Sequence, residues 1–387
     1  MREQIEAEAR AAHESVAALH DEGVTSALRI AASRIDDRLL AVNAEDVAAA
    51  AGLDEGALDR LTLDEARVAA LAEQLRELAE LPPLERAEDS WTLENGARVE
   101  VRRIPVGAVG ANFEARPNVA VDVAGQLLKS LNAAVLRTGG AAIRTVTHLV
   151  DEVLRPALAE AGLPPDAVGL VRTPDREGAR ILVSLPEVLP LVILRGSGET
   201  TAALAREAAQ HGVRTLAHAE GGGVLYVHSA ADPAKVQELV RASLDRLGVC
   251  NRLNLLLCDD VSQAPAELLE KLGMTVRDEL REWANVPEMV ASVTVRAVSG
   301  VDEAVRVANE ETSGLAATIC TEDAAAAQRF LDGYRGTAAY WNATTRLTDG
   351  YKLTGAPETG INVDRVPGPR GPVTYRDLYL RQYRVVG

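Results

Sequence analysis

From residue 2 to about 80, apolar positions recur three and four apart, as in "TSALRIAASRIDDRLLAVNAEDVAAAA" and "LTLDEARVAALAEQLRELAEL". That period predicts helices that each bury one face. Pro82 and Pro83 end the helical run, because proline removes a backbone donor and clashes with the preceding turn. The next stretch, "SWTLENGARVEVRRIPVGAVGANF", alternates on either side of Asn95-Gly96, a dipeptide suited to a tight hairpin turn. It predicts two strands feeding a third, with the hairpin at about 91–105 protruding where a partner chain could cover it.

Short apolar runs then alternate with helical stretches. "VGAVGANF", "NAAVLRT", "AVGLVR", "LPLVILRG" and "GGVLYVHS" are separated by segments such as "TVTHLVDEVLRPALAEAG" and "TAALAREAAQHG". That rhythm predicts a parallel sheet covered by helices on both faces, the doubly wound α/β layout. A second unit of the same kind is expected from residue 229, with the helix "PAKVQELVRASLDRL", the strand "LNLLLC", "MVASVTVRAV", the helix "VDEAVRVANE" and the strand "LAATICT". From 346 to 387 the chain is rich in Gly and Pro and ends in the strand-like "LRQYRVVG".

Composition narrows the function classes. The hydrophobic share of 47% and charged share of 25% are those of an ordinary globular protein. A net charge of −16 disfavours a nucleic-acid surface and adhesion to anionic membranes, since both need a basic patch. The charged N-terminus and the lack of a long apolar run give neither a secretory signal nor a membrane span, so a cytoplasmic protein is expected. Three cysteines without close pairing suit a reducing compartment, and six scattered histidines give no metal-ligand spacing.

The cysteines differ in setting. Cys258 and Cys320 close apolar strand patterns and read as core thiols. Cys250, in "DRLGVCNRLNLLLCDD", lies between a helix end and a strand start, where a scaffold presents reactive groups. "FEARPNVAVD" sets Glu114, Arg116 and Asn118 around Pro117, a rigid turn whose amide is either an oxyanion donor or part of a polar loop. Gly-rich runs at 136–142, 194–201 and 219–224 are phosphate cradles or plain turns. Arg137 beside the first run tilts a dinucleotide towards NADP. Asn342, Arg346 and Arg370, in "YWNATTRLTDG" and "PGPRGPVTY", either hold an anionic substrate or are solvated loop residues.

In order along the chain, "EARPNVAVD", "LKSLNAAVLRTGG", "GVCN", "WNATTRLTDG" and "RGPVTY" followed by "YRVVG" resemble the gamma-glutamyl phosphate reductases (glutamate-5-semialdehyde dehydrogenases) of the aldehyde dehydrogenase superfamily. The resemblance implies an aldehyde dehydrogenase-like α/β fold: a cofactor-binding domain over 1–228 with an oligomerisation hairpin, a catalytic domain over 229–345, and a C-terminal return over 346–387. It implies an oxidoreductase in which NADPH reduces L-glutamyl 5-phosphate to the semialdehyde through a thioester on Cys250, on the route to proline. By motif, Asn118 falls at the oxyanion amide, and Lys129, Arg137, Gly196, Ser197 and Glu288 fall at the cofactor. Arg116, Asn251, Asn342, Arg346 and Arg370 are the expected substrate residues, and no metal is implied. A homodimer or homotetramer and functional coupling to a kinase that makes the acyl phosphate are the implied partners.

The chain departs from the family where "GVCNALETLLV" becomes "GVCNRLNLLLC", placing Arg252 and Asn254 beyond the nucleophile. "SGHTEAI" becomes "SGLAATI", so Leu315, Ala316 and Ala317 replace polar residues. These changes point to altered substrate recognition more than altered cysteine chemistry. The alternatives are a reductase or dehydrogenase of another amino-acid-derived semialdehyde, a hydrolytic aldehyde dehydrogenase with Glu220 as base, or a scaffold that has lost activity.

Overall fold

The computed structural model describes residues 1–53, 55–196, 198–218, 221–280, 291–364 and 368–387. It divides into two compact units, the first holding Met1–Ala217, Ala356–Gly360 and Val373–Gly387, the second His218–Gly355 and Ile361–Pro372.

In the first unit, helices Arg2–Ser15, Asp21–Arg34, Arg38–Ala49 and Glu65–Glu80 bury the apolar stripes read from the sequence, among them Ala27, Leu28 and Ala31 on one and Leu71, Leu75 and Leu78 on another. The Asp64 carboxylate starts the last of these by accepting the Arg67 N–H at 2.7 Å. The hairpin forms from β1 (Ala87–Thr92) and β2 (Arg98–Pro105), and the C-terminal strand β16 (Tyr379–Val386) adds antiparallel to β2. Trp91 and Tyr383 meet edge to face on this exposed ribbon.

The main sheet of the unit contains β3 (Ala108–Phe113), β4 (Ala133–Thr138), β5 (Val168–Leu170), β6 (Leu191–Arg195) and β7 (Arg214–His218), in the order β5-β4-β3-β6-β7. β3 pairs in parallel with both β4 and β6, and β4 with β5. Strand order reverses at β3, so the carboxyl ends of β3 and β6 flank the crevice where doubly wound sheets take ligands. The helix Asn118–Lys129 leaves the end of β3 and is pinned by buried polar bonds to the C-terminal return. Gln126 donates to the Pro357 carbonyl at 2.5 Å and accepts the Tyr375 N–H at 2.7 Å. Asn132 accepts from the Val106 and Gly107 N–H groups at 2.7 and 3.1 Å and donates to Ser130 Oγ and the Leu378 carbonyl at 2.7 and 2.9 Å.

The second unit is built on a parallel sheet of β8 (Gly223–Val227), β9 (Leu253–Cys258), β10 (Thr275–Arg277), β11 (Ser292–Ala297), β12 (Ala316–Cys320) and β13 (Ala338–Trp341), in the order β10-β11-β9-β8-β12-β13. The sequence reading placed "GGVLYVHS" with the first sheet. The structure pairs β8 with β9 and β12 instead, and the division between the units falls at Ala217/His218. β14 (Gly360–Asn362) and β15 (Gly371–Val373) form a short ribbon in the C-terminal return.

Asn132→Ala removes four bonds at a fully buried hub. With each orphaned buried group costing about 1–3 kcal/mol, a loss of at least about 3 kcal/mol is expected in chemical denaturation.

Candidate active site

Cys250 lies in the loop between the helix Pro233–Ser243 and β9, at the amino ends of the strands of the second sheet. Its backbone is clasped by the segment that opens β8: the Gly222 N–H donates to the Cys250 carbonyl and the Gly223 N–H to the Arg252 carbonyl, both at 2.6 Å. The approach is so close that a Cβ on Gly221 would stand 2.5 Å from Cys250 Cβ and 2.7 Å from its carbonyl oxygen. Only glycine fits there. Gly221, Gly222 and Gly223 therefore hold a thiol-bearing loop by backbone contact. Cys250 packs against a small buried cluster of Leu315, Ala316 and Ile361, as do Ala338, Tyr340 and Val363.

The residue after the thiol anchors the loop from the other side. Asn251 donates to the Thr348 carbonyl at 2.9 Å, its own carbonyl accepts from Thr345 Oγ1 at 2.9 Å, and its side-chain oxygen accepts from Arg346. Arg346 also donates to Asp245 at 2.6 Å, so Asp245, Arg346 and Asn251 form a chain of contacts flanking Cys250. The other two cysteines are buried and free. Burial, then the Asp259 and Asp260 charges, pushes the Cys258 thiol up to about 12. Burial and Glu322 push Cys320 up to about 11. Neither is a nucleophile at neutral pH.

In the first unit, the turn after β3 carries Glu114, Ala115 and Arg116 into the helix that starts at Asn118. Ala115 takes φ 43°, a left-handed conformation that costs an alanine about 1 kcal/mol. The Asn118 amide donates to Asp122 at 3.2 Å, one helical turn further on. At the end of β6, Gly196 lies beside the helix Gly198–Gln210, where a Cβ on it would stand 3.4 Å from Thr201 Oγ1 and 3.5 Å from the Glu114 carboxyl carbon. Arg137, at the end of β4, donates to Asn112 Oδ1 at 3.1 Å and to the Pro174 and Asp175 carbonyls at 2.6 and 2.9 Å.

The sequence model of the Aldehyde dehydrogenase family matches residues 2–277 and 290–371. The chain belongs to the aldehyde dehydrogenase family. A gamma-glutamyl phosphate reductase of Erythrobacter litoralis is 37% identical over 371 residues, covering 90% of this chain and 86% of that one. Another, of Roseiflexus castenholzii, is 36% identical and covers 100% of this chain and 98% of its own. The crystal structure of a gamma-glutamyl phosphate reductase from Thermotoga maritima superposes with a TM-score of 0.91 at 28% identity, over 99% of this chain and 98% of that one.

As an aldehyde dehydrogenase family member the protein is an oxidoreductase, and a nicotinamide cofactor is its hydride carrier. The crevice at the ends of β3, β4 and β6 suits such a dinucleotide, with a glycine after β6 and a helix beginning at residue 198. Ser197, Glu288 and Glu220 lie outside the described residues.

Several of the other expected positions are corrected. Lys129 ends its helix at the amino side of β4, buried, with its ammonium bonded to the Ala79 carbonyl at 3.2 Å. It is thus at the opposite end of the strands from Arg137, because the length of β4 separates the two. Asn342 follows β13 at the carboxyl end of the second sheet, and its amide exchanges two 3.0 Å bonds with the Thr321 backbone. With about 3.3 Å of rise per residue, that is roughly 15 Å along the strands from the end that carries Cys250.

Asn251 and Arg346 are brought together beside Cys250 but spend their polar groups on each other and on the loop. Arg370 stands at the same end as Cys250, its guanidinium 3.6 Å from a Cβ position on Gly314 and bonded to the Arg335 and Val363 carbonyls. Arg116 is half-buried in the turn before Asn118.

The departures from the family also sort themselves out. Arg252 is fully buried, donating to the Leu253 and Ser292 carbonyls at 2.6 and 3.0 Å. Asn254 is the extra residue where β9 bulges against β8, since Gly223 pairs with Leu253 and Val224 with Leu255. Both are framework residues. Leu315 and Ala316 belong to the buried cluster against which Cys250 packs, whereas Ala317 belongs to the cluster of Tyr226 and Phe330. Sequence reasoning missed Gly221, Asp245 and Thr345. Their signal is spatial, and in the sequence Gly221 is one glycine in a run of three.

Gly221→Ala forces Cys250 aside, so kcat/KM is expected to fall by about 100-fold or more with the far-UV circular dichroism unchanged. Arg346→Ala separates a brace from a substrate anchor. As a brace, its loss lowers kcat and alters the rate of Cys250 alkylation by iodoacetamide, with KM little changed.

Proposed function

We propose that the protein reduces L-glutamyl 5-phosphate to glutamate 5-semialdehyde with NADPH, on the route to proline. The observation that carries this reading is the near full-length match to relatives named gamma-glutamyl phosphate reductase, with Cys250 the one cysteine of three that is not buried.

Cys250 as thiolate adds to the acyl carbon; the C–S bond forms as the C–O bond to phosphate breaks, leaving a thioester. The thioester carbonyl held on Cys250 would then accept the hydride that a nicotinamide cofactor supplies when bound. Cys250 then departs as thiolate and the aldehyde is released, so one good nucleophile serves twice. The Asn118 amide, assigned by its motif, and the Cys250 backbone N–H are the proposed donors to the oxyanion. Arg137, Gly196, Ser197 and Glu288 are the proposed cofactor residues, and Arg116 and Arg370 the proposed anion holders. NADP preference is supported by Arg137, which ends β4 and donates to three neutral acceptors, with the Glu114 and Asp175 carboxylates offsetting part of its charge.

A second reading, another amino-acid-derived semialdehyde, is favoured by Leu315 and Ala316 beside the thiol. A homo-oligomer assembled through β1, β2 and β16 is supported by the exposure of Trp91, Tyr383 and Val385 on that ribbon.

With glutamate 5-semialdehyde, the enzyme is expected to turn over NADP repeatedly only when phosphate is present, and faster than NAD. Cys250→Ser is expected to abolish turnover while leaving cofactor affinity intact. Phosphate-independent release of the acid would instead mark a hydrolytic enzyme.

A further inference from the structure

We propose that Asp122 is the positioning residue for the Asn118 amide, fixing which way that amide points. The inference rests on the oxyanion role proposed above for Asn118.

A side-chain amide can turn over, exchanging its oxygen and nitrogen, unless a neighbour accepts only from N–H. Asp122 supplies such a neighbour. It lies four residues after Asn118 on the helix Asn118–Lys129, the spacing that brings side chains together, and accepts one Asn118 N–H at 3.2 Å. The second N–H of the same nitrogen stays available for an oxyanion. A carboxylate in this place is costly, since burial pushes its pKa up from 3.8 to about 6 against the opposing pull of Arg195 at the end of β6. The neighbouring helix Glu65–Glu80 contributes only the uncharged Gln74 side chain, and on its own helix the neighbour is Asn118. An acid that disfavours folding at neutral pH and bonds the amide of the motif has an assignable purpose: it holds Nδ2, rather than Oδ1, towards the reacting carbonyl.

The sign of the stability effect is fixed. A raised folded-state pKa means that the penalty is absent below pH 3.8, grows through about 6, and is complete above it. Asp122→Asn removes the ionisation and keeps an oxygen that can accept the same N–H, but its own N–H groups can equally donate to the Asn118 oxygen, so the acceptor-only character is lost.

The test compares wild type, Asp122→Asn, Asp122→Ala and Asn118→Ala over pH 5 to 9 in the semialdehyde, phosphate and NADP assay, with Tm recorded from pH 4 to 9. Asn118→Ala is expected to lower kcat about 100-fold. Asp122→Ala is expected to lower kcat about tenfold or more with KM little changed. Asp122→Asn, which donates as well as accepts and so no longer fixes the amide, is expected to lower kcat several-fold with KM little changed, to lose the acid limb of kcat near pH 6, and to gain Tm above pH 6 but not near pH 4. If Asp122→Ala fails to fold, the pH profile and Tm of Asp122→Asn decide alone. Unchanged kcat and pH profile in both Asp122 variants, alongside a strong Asn118→Ala effect, would overturn the inference and leave the oxyanion reading standing. Full activity in Asn118→Ala would overturn that reading itself.

Discussion

The close contact between Gly221–Gly223 and Cys250–Arg252 is the constraint on which the rest of the second unit depends. Two 2.6 Å backbone bonds and the missing Cβ of Gly221 leave the thiol loop no freedom to retreat from the amino edge of the sheet. Doubly wound sheets ordinarily present their chemistry at the carboxyl ends of the strands. Here the Cys250 loop sits at the other edge, so its backbone cannot rely on a helix N-terminus and is held by other means: glycine backbone on one side, and Asn251, Thr345 and Arg346 on the other.

The first unit solves a different problem with related means. Its helix Asn118–Lys129 begins where β3 ends and is tied along its length by buried polar side chains, Gln126 to the C-terminal return and Asn132 just beyond it. The N-terminal turn of that helix, with Asn118 and Asp122, therefore rests on a rigid base. Each buried bond gives about 1 kcal/mol net, but leaving its groups unpaired costs more, which is why such hubs specify a single arrangement.

Much of this was legible in the sequence. The α/β rhythm followed from apolar runs short enough to be buried strands, and the hairpin from Asn95-Gly96 between alternating segments. Cys250 stood out because it falls between elements. β7, "RTLAH", was missed because it has little apolar alternation, and β10 is only Thr275–Arg277. β8 was put with the wrong sheet, since sequence order does not say which neighbour a strand joins. Arg252 pointed to altered substrate recognition because it departs from the family's usual residue just beyond Cys250. The structure buries it, with carbonyls of Leu253 and Ser292 taking its donors. The contact of Asp245 with Arg346 spans 101 positions and leaves no local trace. Lys129 and Arg137 are close in sequence yet lie at opposite ends of β4.

The central claim is that Cys250 carries the acyl group. Intact-protein and peptide mass spectrometry after mixing the enzyme with glutamate 5-semialdehyde and NADP, without phosphate, tests it most directly. The account predicts one NADPH formed per active site and a glutamyl thioester on the peptide that contains Cys250, released when phosphate is added. Stoichiometric NADPH with no adduct on that peptide, or an adduct on Cys258 or Cys320, would contradict it.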